Sequence, residues 1–590
     1  MSQLKMYWYA QPTAWPEAFN GFTYRRYNGT QADRDAWLAI CETGKLLDEE
    51  GNYFERYILN AVGYREDTVF FVLDGDKPVA TITVLDRQDK ITVLDREETL
   101  GYVHMVGVHA DYCGRGLGGY LNRIAQAALC ELGCDGAWLT TDDWRIPAIR
   151  SYLRSGFHPV LHEADMEERW VAILKAQGYT NVLCTDAEYK VQKRLCEDNE
   201  GKLRIGIFGA FRGSDIAHAA TLYGEAWVCA VCDANRERLE EIKKYCDTDT
   251  RYFTDFDEFI ETPMDAVVLC NYFTDHAAYA IRAMKRGIPV YSETLPAVTM
   301  QECVELCRVA EETGTLYMLG ENFAYFPSVM YLHEQYQQGR FGRAVYLEGE
   351  YVHPMTPEMY ALFTPTVTHW RALMPSGYYL THSLAPLMYI TGALPKTVNA
   401  RSIYTDAVRV EREGEPIKDV ASIMLVGMDD DSLARVTGWA KFGGHGNWYR
   451  LSCANGCAET LRNDEFRVQM RTNIWEEPIE ICDTPYPTEP EKARCFWHNG
   501  GDYYITVDFI RCIKEKRQPF FDVYRAAAMT AVGILGWRSS LHNGAEYKIP
   551  DFRNESERKA YENDDLMPFA NEDGERNYPC TKYEWEQFNV

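Results

Sequence analysis

Two glycine-rich turns of different design lie about ninety residues apart in this chain, CGRGLGG at residues 113–119 and GIFGAFRGSD at residues 206–215. Each follows an apolar, strand-like run and opens a helical pattern. Glycine there lets backbone N–H groups approach a phosphate, and the positive end of the following helix favours the anion. Two such turns imply two nucleotide-type cofactors, and so two chemistries on one polypeptide.

At 590 residues the chain exceeds a single hydrophobic core, so several domains are expected. A net charge of −27 disfavours nucleic acid or an anionic membrane as partner. The first residues carry no basic segment followed by an apolar one, which argues against a signal peptide. No apolar run reaches the length of a membrane span. The eighteen cysteines lack framework spacing and read as reduced thiols of a cytoplasmic protein. The pair Cys229 and Cys232 falls in a strand pattern, where positions three apart face opposite ways, so no metal is expected.

Residues 1–165 alternate strands and helices. TVFFVLDGDKPVATITVL at 68–85 reads as a hairpin turning at Asp74-Gly75, and ITVLDR occurs at 82–87 and again at 91–96. Residues 166–202 read as a connector. From Leu203 a β-α-β rhythm to about residue 325 predicts a parallel sheet. Residues 326–553 carry alternating strands, such as RAVYLEGEYVH at 343–353, which predict an α+β domain on an antiparallel sheet. Residues 554–590 read as an acidic surface extension. The expected class is therefore α/β multidomain, with a parallel sheet followed by an antiparallel one; the resemblances below make the parallel sheet a Rossmann sheet and add a mixed sheet ahead of it.

In the first turn Gly114, Gly116 and Gly118 free a chain of N–H groups, and GAWLTTDDWRIPAIRSYLRSGFHPVL at 136–161 follows with Tyr152 ahead of Gly156-Phe157. Together these segments resemble the GNAT family of acetyl-CoA-dependent N-acetyltransferases. The resemblance implies acetyl-CoA as cofactor, a mixed sheet, and Tyr152 as the acid that protonates the departing thiolate. Cys113 stands where that family has Gln or Arg, and Arg145 where it has Asn. Glu98, His104 and Asp142 are alternative general bases for the acceptor amine.

In the second turn Gly209 holds the first glycine position of a dinucleotide fingerprint, Phe211 the second, and Gly213-Ser214 the third, with Arg212 between. Asp233, at the end of the next strand, suits the ribose hydroxyls of NAD. NYFTDHAAYAIRAMKRGIPVYSETLPAVTMQEC at 271–303 resembles the glucose–fructose oxidoreductase/inositol dehydrogenase (Gfo/Idh/MocA) family, which adds Asn271, His276 and Glu293 to the cofactor residues. The lysine which that family carries after this glutamate is Thr294 here. GYYLTHSLAPL at 377–387, GENFAYFP at 320–327, HNGGDYYITVDFI at 498–510 and residues 522–552 are similar to its NAD-dependent α-N-acetylgalactosaminidase branch.

That likeness implies a glycosidase using NAD as a recycled catalyst: oxidation at sugar C3, elimination, hydration and re-reduction. By position His382 and Tyr379, with Tyr378 as a third candidate, carry over as acid/base residues. His353, Trp370, Arg371, His498 and Asp502 are expected at the carbohydrate, and a homodimer is expected from the fold. The alternative is an NAD-dependent sugar or cyclitol dehydrogenase with a non-catalytic GNAT-like module.

Overall fold

The computed structural model describes every residue except 1, 49, 95, 368, 406, 408–417, 474, 476–478, 572–573 and 585–590. The chain forms two compact units, Met1–Asp198 and Asn199–Val590. Among the described residues no helix is long and apolar enough to cross a membrane.

The first unit is a seven-stranded mixed sheet. Val69–Asp74 and Lys77–Val93 form the expected hairpin, with Gly75 at φ +57 between them. The ITVLDR copies are not equivalent. The first lies in the buried part of Lys77–Val93, while the second shapes the hairpin end, where Ile91 faces Glu98 and Val93 faces Arg96. Arg96–Val108 runs parallel to Gly136–Thr141 from the Leu100–Gly136 pair to the Tyr102–Trp138 pair, and no further. Beyond it the strands part, and Arg96–Val108 feeds the first glycine turn. Helix Leu117–Glu131 begins in that turn.

Residues 166–198, read as a connector, belong to this unit. Met166, Trp170 and Leu174 recur every four residues on helix Met166–Ala176 and are buried in the unit's core. The hairpin Val182–Thr185/Val191–Leu195 adds Cys184 and Leu195 to it. The helical periodicity was present in the sequence; only the core that receives it was not.

The second unit opens with a six-stranded sheet whose neighbouring strands all run parallel, with Leu203–Phe208 in its middle. The chain then builds a nine-stranded sheet, antiparallel except where Ala344–Val352 meets Leu433–Thr437. Helix Thr381–Thr391 packs against this sheet where side chains are missing. A Cβ on Gly349 would lie 2.0 Å from the Ser383 carbonyl oxygen.

The C-terminal segment is more than a surface extension. Phe569 is 1% exposed and packs edge-on against Phe273 and Tyr378. Arg538 grips Asp564 through both terminal nitrogens at 2.6 and 2.7 Å. An aromatic residue and an acidic one both anchor it.

Candidate functional site

Helix Thr381–Thr391 carries Pro386 inside it. Proline has no N–H to offer the carbonyl four residues back. That carbonyl belongs to His382, and it accepts the Tyr449 hydroxyl at 2.7 Å instead. The helix is thereby pinned to the sheet at His382. The His382 ring stacks on Phe323 at 3.9 Å, with Tyr351 edge-on at 4.8 Å.

Three side chains form one line of hydrogen bonds. His382 Nδ1 lies 2.7 Å from Glu321 Oε1, and the Tyr379 hydroxyl lies 3.1 Å from His382 Nε2. Glu321 is fully buried, so its carboxylate fixes the proton on Nδ1 and leaves Nε2 to accept from the phenol. Burial raises the Tyr379 phenol above its ordinary value, and the Arg371 guanidinium and the Thr294 hydroxyl oppose that rise. Glu321 was not singled out from the sequence. It directly follows strand Tyr317–Leu319 by one glycine, at the carboxyl edge of a parallel sheet, where such folds place their sites.

Among the described residues, several polar atoms near this line or on the segment that precedes it are buried without a partner: Glu321 Oε2, His353 Nδ1, Trp370 Nε1, Arg371 Nε and Thr381 Oγ1. Such atoms are uncommon in folded proteins and mark places where a polar ligand or water completes the pairing. Tyr351 links them, 5.8 Å from the His353 ring and 5.8 Å from the Tyr379 ring. Burial lowers both His353 and Arg371 from their ordinary values; for Arg371, Tyr379 and Tyr351 pull the other way.

Tyr378 sits apart from this group. It is 1% exposed, donates to the Val298 carbonyl at 3.2 Å, and packs on Trp537 and Phe569. Adjacent residues at a helix start face different ways, and here the second tyrosine is the one that reaches His382. Asp502, expected at the sugar, is wholly buried: it accepts from Arg212, from Asn322 at 2.8 Å and from His498 at 2.9 Å. Arg212, expected at the cofactor, also holds Glu293 at 2.9 Å and Asp215 at 2.8 Å. A buried guanidinium needs such partners. These two residues brace the glycine turn against helix Gly501–Glu515 and hold His498, whose ring tilts toward Phe323 at 5.7 Å.

At the second turn Gly209 has φ +96, and a Cβ there would sit 2.4 Å from the Cys270 carbonyl carbon. Gly213 lets helix Ala210–Tyr223 approach its own strand, since a Cβ would lie 2.4 Å from Ile207 Cγ2. Asp233 accepts from the Ala210 N–H at 2.7 Å, which ties the second strand's end to the helix start. Phe211 is exposed, under the Arg238 guanidinium. His276 is buried between the carbonyls of Leu295 and Asn271, at 2.8 and 3.1 Å, and burial lowers it to about 4. Asn271 keeps a buried, unpartnered Oδ1.

In the first unit, Gly114 and Gly116 have φ of +79 and +82, conformations that side-chain-bearing residues avoid. A Cβ on Gly118 would lie 2.7 Å from Ser151 Oγ, on the helix that carries Tyr152. Tyr152 is 6% exposed and burial raises its phenol. Asp142 is bonded to Arg145 at 2.9 Å and Gln3 at 3.0 Å, which hold it below its ordinary value.

Comparison with known proteins agrees with this division. Residues 33–157 match the acetyltransferase (GNAT) family, residues 203–321 the oxidoreductase family with an NAD-binding Rossmann fold, and residues 485–558 the C-terminal domain of glycosyl hydrolase 109. An alpha-N-acetylgalactosaminidase of Bacteroides fragilis is 31% identical over 328 residues, half of this chain and 77% of that protein. The chain belongs to glycosyl hydrolase family 109. A second relative in the family, the alpha-N-acetylgalactosaminidase of Tannerella forsythia, is 23% identical over 61% of this chain and 88% of its own length. The family's fold is also seen in an NAD binding oxidoreductase from Klebsiella pneumoniae, 17% identical, with a TM-score of 0.50 over 59% of this chain and 99% of that one. Levoglucosan dehydrogenase with NADH and levoglucosan has the same score at 15% identity, over 59% of this chain and 100% of that one.

Proposed function

We propose that the second unit is an NAD-dependent glycoside hydrolase acting on an N-acetylated hexosaminide, by transient oxidation at C3, elimination, hydration and re-reduction. The observation that carries this reading is the Glu321–His382–Tyr379 line beside a strand end where Thr294 replaces the fold's usual lysine. The residues fit NAD: helix Ala210–Tyr223 starts directly after Gly209 and offers its N-terminus to a phosphate, Asp233 follows the second strand, and Asn271 offers an unpartnered oxygen. When bound, NAD supplies a reversible hydride acceptor.

The chain's own part is proton handling. Tyr379 takes the proton of a sugar hydroxyl as its own moves to His382 Nε2, and Glu321 stabilises the imidazolium that results. In reverse the same line donates to the oxygen. Arg371 faces Tyr379 and stabilises negative charge on either oxygen. His353, Trp370 and Arg371 bring unpaired polar atoms to the carbohydrate's hydroxyl and acetamido groups, and His498 closes the Phe323 side.

Aryl α- and β-N-acetylhexosaminides offered to the purified chain test this. The expected result is cleavage without net NADH, with solvent deuterium entering sugar C2. Cleavage that survives removal of NAD rejects the mechanism, and accumulation of NADH with a free sugar selects the dehydrogenase alternative. Tyr379→Phe is expected to lower turnover by roughly 10²–10⁴-fold with NAD affinity unchanged. Tyr378→Phe is expected to leave it within a few-fold.

The first unit supports a second activity, acetyl transfer from acetyl-CoA to an amine. The favouring observation is the parting of two strands after Tyr102–Trp138, directly upstream of the turn that carries Gly114, Gly116 and Gly118. Calorimetry of the full chain with acetyl-CoA tests it, and absence of binding in the micromolar range rejects it. A cytoplasmic homodimer is the expected form, checked by sedimentation.

A further inference from the structure

Of the three acid/base candidates in the first unit, the geometry singles out one. Glu98 sits opposite Ile91 at the hairpin end of strand Arg96–Val108. That is six residues before His104, about 20 Å along a strand. Asp142 is held by Arg145 and Gln3. His104 lies two residues beyond the last pair that joins this strand to Gly136–Thr141. It faces away from helix Leu117–Glu131: a Cβ on Gly101 would meet Leu129 of that helix at 2.3 Å, and residues 101 and 104 lie on opposite faces.

The proton on His104 is fixed by its partner. Nε2 lies 2.8 Å from the Tyr57 carbonyl oxygen. A carbonyl only accepts, so Nε2 carries the hydrogen and Nδ1 keeps a lone pair. Among the described residues nothing bonds to Nδ1. Around it stand the rings of Tyr102 at 5.6 Å and Tyr57 at 6.4 Å, and Trp138 packs tilted against Tyr102 at 4.4 Å. Arg87 from strand Lys77–Val93 covers Tyr102 and Trp138, and its charge opposes protonation of His104. Lys5 also lies over the Trp138 ring, at 5.0 Å, and two cations on this side of the site disfavour a polycation more than a small monoamine.

We propose that His104 is the general base of the acetyl transfer, and that the acceptor is a small primary monoamine, such as an amino sugar, rather than a polyamine. The assignment rests on the acetyl-CoA reading of this unit. The ammonium gives one proton to Nδ1. The freed amine attacks the thioester carbonyl carbon, and the C–N bond forms as the C–S bond breaks. The thiolate takes the Tyr152 phenol proton, and the second amine proton restores the phenol. His104 returns its proton to solvent. One acetyl-CoA and one ammonium thus give one amide, one thiol and one released proton.

The test uses the full chain with acetyl-CoA and galactosamine, glucosamine or spermidine, following thiol release against pH. Burial holds His104 below its ordinary range, so the rate is expected to rise with pH through a value below 6.5 and then to level. His104→Gln retains a donor for the Tyr57 carbonyl. It is expected to lower kcat at least 100-fold, abolish the acid limb and leave acetyl-CoA affinity unchanged by calorimetry; His104→Ala is expected to do the same. Glu98→Gln and Asp142→Asn are expected to keep the limb. Retention of rate and limb in His104→Gln overturns the base, and turnover of spermidine but neither amino sugar overturns the acceptor. Failure of the wild-type chain to bind acetyl-CoA overturns the acetyl-CoA reading itself, and the base with it.

Discussion

The two glycine turns look alike in sequence and use glycine for different reasons. In the first, a Cβ on Gly114 or Gly119 would meet nothing within 4 Å. Gly114 is there for its left-handed backbone, and the space beside it is open to a ligand. In the second, Gly209 and Gly213 are pressed to 2.4 Å against a neighbouring carbonyl and an isoleucine side chain. That turn is built into the packing of its sheet. The first turn thus has open space at Gly114 and Gly119, although a Cβ on Gly116 or Gly118 would meet Phe19 at 3.1 Å or Ser151 Oγ at 2.7 Å; in the second turn both glycines serve the fold.

The largest expected effect follows from that contrast. Gly209→Ala combines a forbidden backbone conformation with a clash against main-chain atoms that side-chain motion does not relieve. Its cost is on the order of 4 kcal/mol. Denaturant unfolding is expected to show the second unit's transition lost or greatly lowered. A loss below about 1 kcal/mol would break the comparison.

The second turn is also braced by a buried histidine, and this gives a pH dependence. His276 is neutral in the fold, with a value lowered to about 4, while in the unfolded chain it titrates near 6.5. Between those values the unfolded chain binds more protons, so stability falls as pH falls from 6.5 to 4 and is flat below. The shift corresponds to about 3 kcal/mol. The second unit of His276→Gln is expected to lose that slope in urea titrations across the window. An unchanged slope would show that the ring is not sealed between the two carbonyls.

Much of this was legible in the chain. Gly209, Asp233 and the Tyr379–His382 spacing stand within short segments, where backbone geometry dictates residue type. What escaped was long-range. Arg212 and Asp502 are 290 positions apart, and nothing local distinguishes a buried arginine that binds carboxylates from one that binds phosphate. Glu321 lay in a segment already noticed, yet its pairing with His382 depends on the Gly349 contact that seats the helix. Tyr378 and Tyr379 differ by one position, and only the docked helix decides which phenol reaches the site.

Gly114→Ala sharpens the comparison from the other side. With φ +79 and no neighbour to strike, it is expected to cost the first unit about 1 kcal/mol, the strain of one left-handed residue. Acetyl-CoA affinity is expected to fall far more than stability, because the methyl occupies the space a phosphate needs. Equal losses in both, read by calorimetry and unfolding, would make the first turn as structural as the second.

The smallest effect has the opposite sign. Gly119 lies inside helix Leu117–Glu131 with ordinary helical backbone and open space where a Cβ would go. Glycine within a helix is less stable than alanine by about 0.8–1.0 kcal/mol, because its unfolded chain has more freedom to lose. Gly119→Ala is therefore expected to raise the first unit's stability by somewhat under 1 kcal/mol, a shift of a few degrees in its melting. Acetyl-CoA affinity decides what that glycine is for. If the alanine stabilises and binding is kept, only Gly114, Gly116 and Gly118 serve the turn. If binding is lost while the fold gains, the ligand's path runs over Gly119 as well.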